Sequence, residues 1–257
     1  MFVRYSSYME NRKWSLLQQR VHYFTKGNFH GVSGNWLSKQ CDSIFPDISS
    51  FANSPDCPVN LQARDLIEGR AVFESVIVEK SGENFGKNFD CEAGLASFLY
   101  AHILSSRPSL VIETGVANGI TTNVIMRALE VTGGSLHSFD VDPRTENVYQ
   151  GKGSWSFHLL KGNFEQDLVN QVAKFGEVDL WIHDSNHGYK WQAFEYNLAV
   201  SKLHSGGLLV SDDIDASTAW GMASKSNFKK SFAIFDIRKF FGIATIYLKE
   251  TSHTLLK

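Results

Sequence analysis

The chain has 257 residues, of which 43% are hydrophobic and 20% charged, and its formal net charge is −2. This length allows one sizeable core, while the near-neutral charge excludes a global electrostatic attraction to nucleic acid or to a membrane surface. No apolar run approaches the ~20 residues that a membrane-spanning helix needs. We therefore expect neither a nucleic acid nor a membrane as a partner.

Cysteine content and the N-terminus bear on the cellular compartment. The three cysteines are odd in number and share no metal-type spacing, which favours structural thiols in a reducing environment. Residues 1–20 mix charged and aromatic side chains and lack the apolar core of a signal peptide. Both features predict a cytoplasmic protein.

The N-terminal part of the chain has little periodicity. Residues 45–58 contain three of the five prolines, and residues 26–36 are rich in turn formers. We interpret residues 1–70 as an N-terminal extension that serves as a cap or an oligomer contact, so that a homo-oligomer is possible. Residues 71–257 then form the main domain.

Strands and helices are predicted in the following order. A strand is expected at 72–78 and a helix at 89–106, where apolar residues recur at helical spacing. Further strands are expected at 109–114, 135–141, 156–162, 178–184 and 206–214, helices at 121–131, 165–175 and 189–203, and two strands in the tail at 231–237 and 242–248. Such alternation predicts an α/β fold, a doubly wound, mostly parallel seven-stranded sheet covered by helices on both faces.

Acidic side chains stand at the ends of most of these strands. They are Glu113, Asp140, Asp184, Asp212 and Asp213. The carboxyl ends of parallel strands meet at one edge of a sheet, where ligands bind. Carboxylates gathered there repel one another unless a cation or a set of hydroxyl groups is bound among them.

The turn after the first core strand contains two glycines. Gly115 and Gly119 allow the backbone to approach a ligand closely, and we expect Thr114, which precedes them, to contact the same ligand. The G-x-x-x-G spacing differs from the G-x-G-x-x-G of dinucleotide sites, and Glu113 would repel a phosphate but suit an ammonium group. A tight connection without a ligand is the simpler alternative.

Residues at the ends of the next two strands suggest a nucleoside. Asp140 lies 21 residues after Gly119, where an acidic residue accepts the hydroxyl groups of a ribose; a turn or helix-cap role is its alternative. Asn163 and Phe164 would lie beside the base. A nucleoside with a positive centre and no phosphate fits this set, and S-adenosylmethionine is such a molecule.

Four segments carry a family resemblance: VIETGVANGITT, LHSFDVDP, GNFEQDL and the stretch from VDLWIHD to VSDDI. In this order they resemble the motifs of class I S-adenosylmethionine-dependent methyltransferases, and more narrowly those of the catechol O-methyltransferase type and of methyltransferase family 24. The resemblance covers about residues 85–215. It implies that residues 71–257 form an S-adenosylmethionine-binding domain that methylates a small hydroxylated acceptor, such as a sugar, a phenol or a natural product.

The resemblance also implies a metal and a base. The metal-dependent branch holds a divalent cation with carboxylates at the positions of Asp184, Asp212 and Asp213, and oxygen ligands favour Mg²⁺ or another hard cation. Each aspartate has a simpler alternative role as the cap of the turn or helix that follows it. His187 stands where the branch has a lysine base, so His187 and Asp184 are the predicted catalytic residues, with Asp184 also near the cofactor.

Two other functional classes fit a sheet of this kind. One is a nicotinamide-dependent oxidoreductase, against which Glu113 and the missing G-x-G-x-x-G argue. The other is a non-catalytic binding protein on the same fold, which does not by itself explain three aspartates at adjacent strand ends.

Overall fold

One mixed sheet organises the chain. The computed structural model describes residues 31–86 and 90–247. The first 30 residues of the predicted extension and residue 248 of the predicted tail strand lie outside these ranges. Within the described ranges the sheet contains eight strands in the order β1-β7-β8-β6-β5-β2-β3-β4.

The elements are numbered in chain order. The strands are β1 Ser43–Phe45, β2 Leu110–Thr114, β3 Ser135–Asp140, β4 Ser154–Leu159, β5 Val178–His183, β6 Leu203–Ser211, β7 Phe228–Asp236 and β8 Lys239–Ile246. The helices are α1 Gly34–Leu37, α2 Ile48–Ala52, α3 Ala63–Lys80, α4 Ala93–Ser106, α5 Ile120–Thr132, α6 Phe164–Val172, α7 Tyr189–Lys202 and α8 Ala219–Ser226, with a short 3₁₀ helix at Pro143–Asn147.

All strands except β8 run in the same direction. β8 is antiparallel to both of its neighbours, β6 and β7, whereas the remaining pairs are parallel. β2 to β7 therefore end at one edge of the sheet, which we call the carboxyl rim. Because β8 runs the other way, its first residue, Lys239, lies at that rim instead of its last.

Each face of the sheet is covered by helices, as the alternation predicts. Successive strand residues point to opposite faces; thus Val111 packs in the core with α3, α4 and α5, and Ile112 packs in the core with α6, α7 and α8. Both cores consist of fully buried aliphatic and aromatic side chains, which supply the main driving force for folding. The predicted doubly wound α/β fold is confirmed.

Two local predictions differ from the structure. The strand predicted at 72–78 is wrong, because these residues lie inside α3, where Phe73, Val76 and Ile77 are buried at helical spacing against the core. An eighth strand, β1, comes from the predicted extension and pairs with the edge of β7. Packing on neighbouring elements outweighed the β propensity of Val72, Val76 and Val78.

Among the described residues, no helix is both long and apolar enough to cross a bilayer.

Substitution of Gly115 tests how closely the strand ends pack at the rim. Gly115 has a φ of 83°, and an added Cβ would collide with the backbone carbonyl of Asp184. Gly115→Ala should lower the free energy of unfolding by more than about 2 kcal/mol, since backbone cannot move aside and a positive φ adds ~1 kcal/mol. Urea denaturation measures the change. Gly162→Ala is the matched control, because Gly162 also has a positive φ, 65°, but an added Cβ meets nothing within 4 Å. Equal losses in the two variants would contradict the close packing.

Candidate functional site

The glycine turn joins β2 to α5 at the centre of the rim. Gly115 and Gly119 both adopt left-handed backbone conformations, and the Gly115 amide donates to the carbonyl of Phe139 at 2.8 Å. Gly119 precedes the first residue of α5, with Val148 too close to allow a Cβ. The turn is thus fixed against β3, β5 and the residues around Val148.

Glu113 lies fully buried beneath this turn. Its Oε2 accepts hydrogen bonds from the hydroxyl groups of Thr122 at 2.7 Å and Ser138 at 2.6 Å. Its Oε1 is buried and has no hydrogen-bond partner among the described residues. Burial raises the pKa of the Glu113 carboxyl to about 7. A buried carboxylate oxygen without a donor is costly, and a positively charged donor would satisfy it.

The side chain of Thr114 does not lie on the glycine turn, where a contact with the cofactor was expected. Its side chain is buried, and its hydroxyl lies 2.6 Å from Oε2 of Glu195 on α7 and 3.3 Å from the carbonyl of Ile182. Successive side chains of a strand point to opposite faces, so Thr114 faces α7 while Glu113 faces α5. The side chain of Thr114 therefore holds α7 to the sheet instead of lying on the turn.

Asp140, at the end of β3, holds the turn in place. Its Oδ2 accepts hydrogen bonds from the amides of Val116 at 2.8 Å and Ala117 at 3.3 Å, and its Oδ1 accepts one from Asp142. Two consecutive amides of such a turn form the kind of concavity that binds phosphate in nucleotide sites. Here a carboxylate already occupies them, which argues against a pyrophosphate at this turn.

Asn118 bonds the segment before α4 to the turn. This residue was not predicted from the sequence. Its buried Oδ1 accepts from the amides of Asn84 at 3.0 Å and Phe85 at 2.8 Å, and its Nδ2 donates to Asp90 at 2.9 Å. The guanidinium of Arg144 lies 4.4 Å from the ring centre of Phe85. The segment before α4 is thereby tied to the turn. An asparagine between turn glycines was the only signal in the sequence, and asparagine is common in turns for other reasons.

Asn163 and Phe164 stand at the rim beyond β4. Asn163 caps α6 through its side-chain oxygen, which accepts from the Gln166 amide at 3.2 Å. Phe164 begins the helix, and 41% of its surface is exposed. An exposed aromatic ring at the rim is available for stacking on a planar ligand.

Asp184 and His187 follow β5. Asp184 Oδ2 accepts from the Thr121 hydroxyl at 3.2 Å, and its Oδ1 lies 3.9 Å from Nε2 of His187. Burial, followed by the charge of Asp212, raises the pKa of Asp184 well above its usual range. Burial lowers the pKa of His187, although Asp213 opposes the shift. His187 is therefore neutral near pH 7, and its Nε2 is buried without a hydrogen-bond partner in the described residues.

Asp212 and Asp213 follow β6 and contact a lysine. The ammonium of Lys239 forms ion pairs with Asp212 and, at 3.1 Å, with Oδ2 of Asp213. Asp213 has a φ of 47° and also lies 3.3 Å from Nδ1 of His187. Burial alone would lower the pKa of Lys239, but Asp212 and Asp213 outweigh it and hold the pKa well above its usual value. Lys239 is a positive charge inside the cluster of aspartates.

The arrangement differs from the expected metal site. Asp184, Asp212 and Asp213 do lie near one another, since the charges of Asp212 and Asp213 both raise the pKa of Asp184. Across residues 31–86 and 90–247, however, no group of three or more His, Cys, Asp or Glu side chains is placed to hold a metal ion. The physical reason is Lys239, whose ammonium bonds to two of the three predicted ligands. The side chains as placed do not fit a divalent cation.

Lys239 was missed because the sequence gives it no chemical signal. It begins an apolar strand, and the pattern placed that strand at 242–248, three residues too late. Only the antiparallel insertion of β8 between β6 and β7 brings the start of β8 to the aspartates.

Comparisons with known proteins agree with the fold described above. Residues 112–214, from β2 to the turn after β6, match the model of methyltransferase family 24, described as a methyltransferase domain. Residues 112–214 are therefore similar to a methyltransferase domain. The match confirms the family resemblance of the sequence and includes the turn and all three aspartates. A comparison with curated proteins gave no significant match.

Solved structures share the fold of this chain. An O-methyltransferase from Bacillus cereus, solved with S-adenosylhomocysteine, is 11% identical; the alignment covers 72% of this chain and 92% of that chain, with a TM-score of 0.51. The MycE methyltransferase of mycinamycin biosynthesis, solved with Mg, S-adenosylhomocysteine and mycinamycin VI, is 12% identical, with 70% and 56% coverage and a TM-score of 0.53. At these identities the likeness concerns the fold.

The raised pKa of Glu113 predicts a pH dependence of stability. The ordinary pKa is 4.5 and the folded value is about 7, so the folded protein keeps a proton that the unfolded chain releases. The associated stability is present below about pH 4.5 and is lost as the pH rises to about 7, a loss of ~3 kcal/mol. Urea denaturation across this range should give a steeper decline for the wild type than for Glu113→Gln, which cannot titrate. Parallel curves would show that Glu113 ionises normally.

Proposed function

We propose that this methyltransferase uses S-adenosylmethionine to methylate a hydroxyl group of a small acceptor. The main support for the proposal is the glycine turn between β2 and α5. Its amides are already bonded to Asp140, while a buried oxygen of Glu113 beneath it has no donor in the part of the chain that the structure describes. A cationic nucleoside without phosphate matches both features. Two proteins with this fold were solved with S-adenosylhomocysteine, which supports the same ligand.

The amino group of the methionine part suits Glu113. An ammonium carries three donors, and Oε1 of Glu113 needs one. The remaining donors can reach backbone carbonyls of the turn, which Gly115 and Gly119 leave open to close approach. Binding of the cation favours the ionised form of Glu113 and so lowers its raised pKa.

The ribose suits Asp140, and the base suits Asn163 and Phe164. Each carboxylate oxygen has two lone pairs, and the turn amides and Asp142 do not fill all of them. Asp140 can therefore hold the turn and accept a ribose hydroxyl at the same time. The exposed ring of Phe164 offers a surface on which an adenine can stack.

A cavity on the other side of the cluster suits the acceptor. It has a volume of about 470 Å³ and is lined by residues of the α2 region, α3, α4 and the end of β7, including Asp236. Asp236 is opposite Lys239 in the β7–β8 pair, and opposed residues share a face of the sheet. The cavity thus lies beside the aspartate cluster, and its size is that of a small-molecule site.

The extension predicted at residues 1–70 contributes to this cavity. Residues 46–53 and 61–70 supply about two thirds of its lining. We propose that the extension acts as a cap that selects the acceptor, whether a sugar, a phenol or a natural product.

The chemistry needs a base for the acceptor hydroxyl. S-adenosylmethionine supplies an electrophilic methyl group. His187 is neutral near pH 7, and its buried Nε2 has no hydrogen-bond partner among the described residues, so it can take the hydroxyl proton. Asp213, 3.3 Å from Nδ1, orients the ring and stabilises the imidazolium that forms.

Calorimetric titration with S-adenosylhomocysteine and with NAD tests the proposal against the oxidoreductase alternative. Only S-adenosylhomocysteine should bind. Transfer of a labelled methyl group to a panel of phenols, catechols and sugars then separates an enzyme from a non-catalytic binding protein. Binding of NAD alone would overturn the proposal.

Asp140→Ala tests the contact with the ribose. The variant should weaken S-adenosylhomocysteine binding by roughly 1.5–3 kcal/mol for each charge-assisted hydrogen bond lost. Asp142→Ala is the control, since the carboxylate of Asp142 is bonded to Arg144 and accepts no hydrogen bond from the amides of Val116 and Ala117, which bond to Asp140. Calorimetry with a deoxyribose analogue separates ribose binding from turn support: the analogue should bind the wild type more weakly, with no further loss in Asp140→Ala. Unchanged affinity in Asp140→Ala would remove this residue from the site.

His187→Gln tests the base. Methyl transfer to the best acceptor of the panel should fall by about 10²–10⁴-fold, while S-adenosylhomocysteine affinity stays unchanged. The wild-type rate should fall with acid only below pH 6.5, because the pKa of His187 is lowered from that value. His204→Gln, at a histidine paired with Asp179 away from the rim, is the control. Full activity in His187→Gln would assign proton transfer to another group.

A further inference from the structure

We propose that Lys239 is the resident cation of the methyl-transfer site, standing where a divalent metal would lie between Asp212 and Asp213, so that the reaction needs no metal. The inference rests on the proposed function, because it concerns the same site. The family resemblance implied a divalent cation at this site, whereas the proposal follows from the position of the Lys239 side chain.

The strand pairing of the sheet fixes the position of Lys239. Asp212 and Asp213 follow the end of β6, and β8 pairs antiparallel with β6 from Ser211↔Gly242 onward. The first residue of β8 therefore has to lie next to the residues after β6. The turn from Asp236 to Lys239 contains only Ile237 and Arg238, so Lys239 has little freedom to leave the rim.

Burial and hydrogen bonding show that the ion pairs are structural. Only 8% of Lys239 and 2% of Asp212 are exposed to solvent. The ammonium donates to Asp212 and to Asp213. Ion pairs that are buried and hydrogen-bonded in this way are not surface contacts that solvent or salt easily breaks.

A divalent cation cannot join this arrangement without removing the lysine. Metal and ammonium would compete for the same oxygens of Asp212 and Asp213 and would repel each other at that distance. Expelling Lys239 would also leave its charge in a buried region without its partners. The chain itself thus already places one positive charge between these two carboxylates.

The third N–H of the ammonium gives Lys239 a part in the reaction. Two of its three donors bond to described residues, and the third is available for an acceptor oxygen. In the step, the hydroxyl proton passes to Nε2 of His187 while the oxygen is stabilised by Lys239. An oxygen lone pair then forms the bond to the methyl carbon, and the carbon–sulfur bond breaks with its electron pair moving to sulfur. The products are the methyl ether, S-adenosylhomocysteine and a protonated His187.

Mn²⁺ alone is the probe that tests the proposal. Electron paramagnetic resonance of metal-free wild-type protein titrated with Mn²⁺ to about 1 mM should show no Mn²⁺ held by Asp212 and Asp213. Mn²⁺ that also stays bound to Asp213→Asn lies elsewhere and agrees with the proposal. Stoichiometric binding that is lost in Asp212→Asn or Asp213→Asn would overturn it.

Lys239→Met tests whether the lysine takes the place of the metal. The variant keeps an apolar stem but leaves the aspartates without their cation, so it should bind Mn²⁺ at least about tenfold more tightly than the wild type, and Mn²⁺ should raise its melting temperature. Lys230→Met is the control, because Lys230 pairs with Asp56 and is half exposed. Failure of folded Lys239→Met to gain Mn²⁺ binding would overturn the proposal. If the variant does not fold, the wild-type titration decides.

Methyl transfer after metal removal gives the functional readout. With a chelator present, the wild-type rate should remain within about twofold of the untreated rate, whereas a loss of more than about tenfold that Mg²⁺ restores would overturn the proposal. S-adenosylhomocysteine binding is measured in the same samples. Absence of that binding counts against the proposed function, and metal-dependent activity with intact binding counts against Lys239 alone.

Discussion

A sheet whose strands nearly all run one way brings their carboxyl ends together, and here those ends carry carboxylates. The fold is stable only if each buried charge there is neutralised. The protein does this in several ways: Asp140 bonds to backbone amides, Glu113 and Asp184 have raised pKa values, and Lys239 pairs with Asp212 and its neighbour. The geometry of the site follows from these solutions.

The solutions divide the rim into two parts with different properties. On the β2–β3 side, Asp140 holds the glycine turn, and Oε1 of Glu113 is buried without a partner among residues 31–86 and 90–247, which suits a cationic ligand. On the β6–β8 side, charges are paired within the chain, and a cavity opens beside them. His187 lies between the two parts, within 4 Å of both Asp184 and Asp213. A group transferred from one part to the other would pass this histidine.

Interactions around the turn couple it to residues far away in sequence. Asn118 ties the segment before α4 to the turn, and Thr114 ties the end of β2 to α7. Gly115 lies against the backbone of Asp184, so the turn and the end of β5 cannot move independently. The rigidity of the site therefore comes from side chains on the faces of the sheet as well as from the strands.

The alternating core from β2 to β6 and the residues at its strand ends could be predicted from the sequence. Helix and strand periodicity and the order of motifs are local properties of a chain. For this reason the sequence alone predicts that Glu113, Asp140 and Asp184 lie at one edge of the sheet. The tertiary structure alone decided that α3 is a helix, that Asn118 holds a distant segment, and that Lys239 stands among the aspartates. These features depend on which strands become neighbours and in which direction they run, and a lysine more than twenty residues from its partners carries no local sign of that pairing.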